Sequence, residues 1–396
     1  MIDWKTEAGN ISGTMIALRR DFHRFPELGN TEVRTSDRIC EYLRSLSVTV
    51  VRPFGTAVMG ILHGEATDER TPPRTVALRA DMDALPLTED TGLAFASETA
   101  GVMHACGHDF HVAALLGAAT LLASHRAELK GTVRFLFEPD EEGMGGAERM
   151  IRAGCLDPDV SAAFGLHVSP DLPAGQIGIR YGSFYAASNP FRVTVYGKSA
   201  HGAEPEKGID ALAAAAAAVT AVRAIPGLLS DAPSVVSVCS FGAGCAENII
   251  ADRAELAGIM RTFGESARDK LKQVFRETVL RAVEPFGATV DISIRDSYPG
   301  VYNSEPETAL AHRAACETFG EEQVTILERP TMTTEDFGYF ILRCGGCFAH
   351  LGVGPTAPLH HPAFSPDERA LPVGAAYLAA VAAKALCATD SLATHL

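Results

Sequence analysis

The stretch from Ala57 to Val168 limits the fold more than any other part of the chain. It contains four short β-type runs, AVMGIL, TVALRA, TVRFLF and SAAFGLHV, with a long apolar helix, VAALLGAATLLASH, between the second and the third. Runs with so few polar positions belong in a sheet covered on both faces, and a helical crossover is what a parallel pair requires. Upstream, TMIALRRDFHRF reads as a helix broken at Pro26, and TSDRICEYLRSL as a second, with Ile39, Leu43 and Leu46 at helical spacing. The expected class is α/β with a mostly parallel central sheet, an architecture that presents its chemistry at strand ends.

From 186 to 297 the pattern changes. FRVTVYG, a helix through IDALAAAAAAVTAVRAI, SVVSVCSFG, AELAGIMRTF, a helix through DKLKQVFRETVLRAV and TVDISIRD follow in the order βαββαβ, the ferredoxin-like arrangement. This predicts an inserted α+β domain over 186–297 within a discontinuous domain of 1–185 and 298–396, closed by an Ala-rich helix from Val373 to about Ala388. Leu212, Val219 and Val222 flank the alanine run at 213–218, so it reads as a packed helix rather than a low-complexity tract.

Charge and composition narrow the function. The 396 residues hold 34 Lys plus Arg against 49 Asp plus Glu, a balance of −15, which argues against a nucleic-acid partner. No run approaches the ~18 apolar residues of a membrane span. The start, MIDWKTEAGN, has no apolar signal core, and nine scattered cysteines do not resemble a disulfide framework, so the expected location is the cytoplasm.

Several segments carry candidate chemistry. MHACGHDFH holds Cys106, His108, Asp109 and His111 just before the long helix; Cys106 and His108 could converge on one ion if both precede it, the plain alternative being an N-cap loop with a buried thiol. RFLFEPDEEGMGG runs from a strand into a turn with Glu138, Asp140, Glu141 and Glu142. Adjacent carboxylates there diverge, so one can bind metal while the other faces a reacting water. His167 ends an apolar run, His360 and His361 lie in a loop, and Asp81 and Asp83 leave a strand at period two. More than four mixed Cys, His and Glu candidates suit two transition-metal ions better than one structural zinc.

RADMDALP, MHACGHD, FEPDEEG, FGLHV, GKSAHGAEP, AENIIADRAEL, TEDFGYF and LHHPAF occur in the order seen in the dinuclear metallo-amidohydrolases of the aminoacylase and carboxypeptidase superfamily, which the chain resembles over nearly its whole length. The branch it resembles most is that of hippurate hydrolase, N-acyl-L-amino acid amidohydrolase and the plant auxin-conjugate hydrolases. The resemblance implies a zinc-exopeptidase-like catalytic domain and hydrolysis of N-acyl amino acids with two divalent ions (Mn, Zn, Co or Ni). It implies Cys106, His108, Glu142, His167 and His360 as ligands, with Cys106 bridging, Glu141 as catalytic base, and Asp83 orienting a ligand histidine by accepting its other N–H. It further implies that His201 and Asn248 reach the substrate or a neighbouring subunit's site, that His201 assists at the oxyanion, and that the insert forms a homodimer. The Cys in MHACGHD favours the amidohydrolases over the peptidases, which typically have Asp there.

The chain departs from that pattern in three places. Glu138-Pro139-Asp140 stands where Gln-Pro-Ala is common, Pro205-Glu206 where Pro-His is common, and Thr-Thr-Glu rather than Ser-Glu precedes Asp336. Cys344-Gly-Gly-Cys347 has redox spacing but an apolar setting, which reads as a buried strand turn, and Gly143, Gly145 and Gly146 lack the Lys-Ser/Thr of a phosphate loop.

Overall fold

A computed structural model describes residues 2–67, 72–229, 233–244 and 246–388. The last eight positions of the expected first domain, 389–396, lie outside the described residues. The chain divides into two compact units, Met1–Gly182 with Tyr302–Arg329 and Asp336–Leu396, and Ser183–Val301 with Pro330–Glu335.

The first unit is built on an eight-stranded sheet. From edge to edge it runs Thr49–Val51, Val58–His63, Thr132–Glu138, Thr75–Asp81, Val160–Pro173, Gly346–Gly354, Ile177–Ile179 and Val324–Ile326. The four strands from Thr132–Glu138 to Gly346–Gly354 are mutually parallel, and antiparallel pairs lie outside them. All seven residues of Thr75–Asp81 are buried, as a strand with helices on both faces requires. The helix His108–Ser124 is apolar around most of its circumference and packs against the closing helix Leu371–Leu386. Glu368–Leu386 is long and apolar enough to cross a bilayer, but 72% of its most apolar window is buried inside the unit.

In the second unit the order is βαββαβ. The antiparallel sheet runs Thr289–Ile294, Ala187–Tyr196, Arg253–Thr262 and Ser234–Ala243. Helices Ala211–Val222 and Glu265–Val283 form its core with Ala214, Ala218, Val222, Leu271, Phe275 and Val279. The alanines let the first helix approach closely, and Asp210 caps it by accepting the Ala213 N–H at 3.0 Å. The return segment Pro330–Glu335 belongs here, because Ala186 N–H donates to Thr333 O at 3.0 Å and Arg261 to Met332 O at 2.7 Å.

Two local readings change. His167 lies within the 14-residue strand Val160–Pro173 rather than at its end, since pairing with Gly346–Gly354 extends the strand through Pro173. Cys344 closes a helix, Gly338–Cys344, and Cys347 enters the next strand, so their turn joins helix to strand.

Candidate metal centre

Cys106 and His108 are presented by the entry to the long helix. His108 is already its first residue, so only Cys106 precedes it. Gly107 between them has φ +86°, and a Cβ there would lie 2.5 Å from Val168 Cγ2, so glycine is what allows this turn to press against the strand carrying His167. His360 comes from the loop after Gly346–Gly354, and its N–H donates to Ala105 O at 2.8 Å, which fixes that loop beside the Cys106 turn.

The side chains converge. Cys106 Sγ lies 3.4 Å from His167 Nε2 and 3.3 Å from His360 Nε2. Glu142 Oε1 lies 3.1 Å from His360 Nε2 and 3.9 Å from His108 Nε2. The ligand atoms of Cys106, Glu142 and His360 fall within 4.8 Å of one another, and so do those of His108, Glu141 and Glu142.

Hydrogen bonds turn the rings inward. His167 Nδ1 is 2.8 Å from the Val168 carbonyl and His108 Nδ1 is 3.2 Å from Asp83 Oδ1, so each ring offers Nε2 to the centre. Asp83 does more than the sequence reading assigned to it. Its Oδ1 also accepts the Glu141 N–H at 3.1 Å, and its Oδ2 the Glu142 N–H at 3.0 Å. One carboxylate thus orients His108 and the backbone of both glutamates.

His111, noted in the sequence but given no role there, is occupied on both nitrogens. Nδ1 lies 2.6 Å from Asp81 Oδ1, and Nε2 accepts the Val168 N–H at 2.9 Å. It braces the strand beside His167. Arg79 donates to both Asp81 and Asp336, and its pairing with Asp336 escapes sequence reasoning, because 257 residues separate them in the chain. Asp140 has φ +62°; its carboxylate accepts from Asn30 Nδ2 at 2.5 Å and from the Met144 N–H at 3.2 Å, so it closes the turn bearing Glu141 and Glu142.

These groups fit a divalent metal centre. His108 Nε2 is buried without a hydrogen-bond partner among the described residues, as an atom reserved for a cation would be. Burial opposes a proton on His108, yet the Asp81, Asp83 and Glu142 carboxylates outweigh it and raise the ring to about 10. Burial, together with Glu142 and Glu141, pushes the Cys106 thiol well above its ordinary value. A site that anionic favours a divalent cation, which would leave the ring neutral and the thiol deprotonated.

His201 and Asn248 lie in the second unit. Both are exposed, beside a bridge pairing His201 with Ile249, and His201 Nδ1 accepts the Ala203 N–H at 3.1 Å.

Residues 77–384 match the model of peptidase family M20/M25/M40. The chain belongs to that family. It is accordingly a metal-dependent hydrolase of amide bonds. Among its relatives, N-acetylcysteine deacetylase of Bacillus subtilis (strain 168) is 38% identical over 93% of this chain and 96% of the relative. IAA-amino acid hydrolase ILR1-like 4 of Arabidopsis thaliana is 36% identical over 94% and 86%. The crystal structure of YXEP from Bacillus subtilis, described as a dinuclear metal binding M20 peptidase, superposes with a TM-score of 0.85 at 35% identity, covering 96% of this chain and 99% of that one.

Proposed function

We propose that this M20 hydrolase cleaves the amide of N-acyl amino acids, giving a carboxylic acid and a free amino acid, at a two-ion centre held by Cys106, His108, Glu142, His167 and His360. The observation that carries the reading is the inward turn of His108 and His167 toward Cys106 and Glu142, with a second carboxylate, Glu141, on the adjacent residue. Bound divalent ions (Mn, Zn, Co or Ni) supply Lewis acidity that acidifies water and polarises the amide carbonyl. Glu141 takes the proton of the attacking water and delivers it to the departing nitrogen. Asp83 holds that base in place through its backbone N–H while keeping His108 Nε2 directed inward. Glu141 is 7% exposed, so its surroundings exclude most solvent.

His201 and Asn248 are proposed to meet the substrate, in their own subunit's site or a neighbour's, with His201 assisting at the tetrahedral oxyanion. The second unit is proposed to pair two chains into a homodimer. The eight described cysteines are free, which supports a reducing, cytoplasmic setting.

A second reading is a peptidase, favoured by the 36% identity to thermostable carboxypeptidase 1 of Saccharolobus solfataricus, over 96% of this chain and 97% of that one. Amine release from N-acetyl, N-benzoyl and indole-acetyl amino acids beside plain dipeptides, with each metal restored to stripped protein, separates the two. Turnover confined to acylated substrates supports the amidohydrolase; cleavage of dipeptides alone would replace it with the peptidase.

A further inference from the structure

Arg79 is fully buried on the Thr75–Asp81 strand, and its single positive charge meets three carboxyls. Its Nε–H donates to Glu138 Oε2 at 2.7 Å, Nη1 to Asp81 Oδ2 at 2.9 Å and Nη2 to Asp336 Oδ1 at 3.1 Å. All three acids are completely inaccessible to solvent. Two of them have a further donor. Asp81 Oδ1 is paired with His111 Nδ1, and Asp336 Oδ2 accepts the Ala147 N–H at 3.1 Å.

Glu138 has none. Its Oε1 meets no N–H or O–H donor among the described residues, and its carboxyl and that of Asp336 lie beside each other on the one Arg79 guanidinium, Oε2 on Nε and Asp336 Oδ1 on Nη2. Two ionised carboxylates in contact inside a protein repel; one proton between them turns the contact into an O–H···O bond. The donors decide which acid holds it, because Asp336 accepts from Arg79 and from a backbone N–H, whereas Glu138 accepts from Arg79 alone.

We propose that Glu138 is a neutral carboxylic acid at physiological pH, accepting from Arg79 and donating to Asp336, and that it is thereby a positioning residue for the turn that carries Glu141 and Glu142. Glu138 ends the strand that enters this turn, and Ala147, capped by Asp336, begins the helix that leaves it. The shared proton ties the two ends of the turn together. Ionisation of Glu138 sets two anions against each other across that junction.

The ionisable groups facing Glu138 are Arg79 and Asp81 from the neighbouring strand, Asp336, and Cys155, whose thiol burial pushes up to about 12. None adds a second positive charge. Burial raises the Glu138 carboxyl well above the ordinary range; Arg79 opposes this and Asp336 reinforces it.

Glu138→Gln keeps the shape and fixes the neutral state. Infrared difference spectra of metal-loaded wild type at neutral pH are expected to contain the C=O stretch of a buried carboxylic acid that Glu138→Gln lacks. Asp336→Asn, which takes away the carboxylate that shares the proton and leaves Arg79 paired with Glu138, should also remove it. The native wild type holds a proton that the unfolded chain releases above about pH 4.3, so the folding constant of Glu138→Gln should gain on wild type by up to tenfold per pH unit above that value. The kcat of wild type should fall at alkaline pH where that of Glu138→Gln does not. Absence of the band in wild type, which needs no variant to fold, would overturn the proposal. So would a band that survives both substitutions, or a stability gap that does not change with pH.

Discussion

Gly143 leaves the room that Asp140 fills, and adding one methyl there should loosen the catalytic turn. A Cβ on Gly143 would lie 2.2 Å from Asp140 Oδ1 and 3.1 Å from its Cγ, far inside contact distance. The carboxylate cannot yield freely, because it is held by Asn30 Nδ2 at 2.5 Å and the Met144 N–H at 3.2 Å, from a residue at φ +62°. Overpacking of this kind costs about 1–3 kcal/mol and a displaced hydrogen bond about 1 kcal/mol more, so Gly143→Ala should destabilise by about 2–4 kcal/mol. Truncating the obstacle removes the clash. In an Asp140→Ala background the same substitution should cost less than about 1 kcal/mol, giving a coupling energy near 2 kcal/mol in a double-mutant cycle read by urea unfolding of the metal-loaded protein. Gly29→Ala approaches the same oxygen at 2.2 Å and should couple less completely, because the Asp140 Cα at 3.0 Å remains after truncation. Equal costs in both backgrounds would refute the view that Asp140 occupies and braces this turn.

Glu141→Gln should keep both metals, measured by elemental analysis, while kcat falls by about 10²–10⁴, the range of a lost general base. His167→Ala should release metal before anything else, and Asp83→Ala should weaken metal affinity about 10–100-fold in a competition titration, because His108 loses the group that orients it. His23 makes a separate pH prediction. Burial disfavours its proton, but Asp109, 2.8 Å from Nδ1, and Glu89, 3.1 Å from Nε2, raise its pKa above the usual value. That contribution is complete below the unfolded value of about 6.5 and disappears as pH rises through the raised one, so the stability advantage of wild type over His23→Asn should shrink by up to about 1.4 kcal/mol per pH unit in that window. A chelator should lower the unfolding midpoint, with metal at 100 times its Kd restoring about 2.7 kcal/mol.

The fold was legible where the residues carry periodicity. The strand over Thr75–Ala80 and the apolar helix from Val112 follow from runs with almost no polar break, although the strand continues to Asp81 and the helix begins at His108, and the βαββαβ order follows from alternation between helical and strand spacing. The three-residue strands Thr49–Val51, Ile177–Ile179 and Val324–Ile326 were not legible, because so short a segment owes its pairing to its neighbours. The same division holds at the centre. Cys106, His108 and the adjacent glutamates announce themselves as clusters, whereas the ties of Arg79 to Glu138 and Asp336 exist only once strands distant in sequence lie side by side. Glu138 stood out as a departure from Gln-Pro-Ala, but its meaning depends on Asp336, 198 residues later by position number. The resemblance implied Asp83 as a support for a histidine, whereas its hold on the Glu141 and Glu142 amides depends on how the turn closes.

Anomalous diffraction from crystals loaded with Mn²⁺ tests the central claim most directly. The account predicts two peaks per chain, with Cys106 Sγ between them and His108, Glu142, His167 and His360 completing the ligands, while Glu141 stands beside them unligated. A single peak, or two peaks away from Cys106, would contradict it.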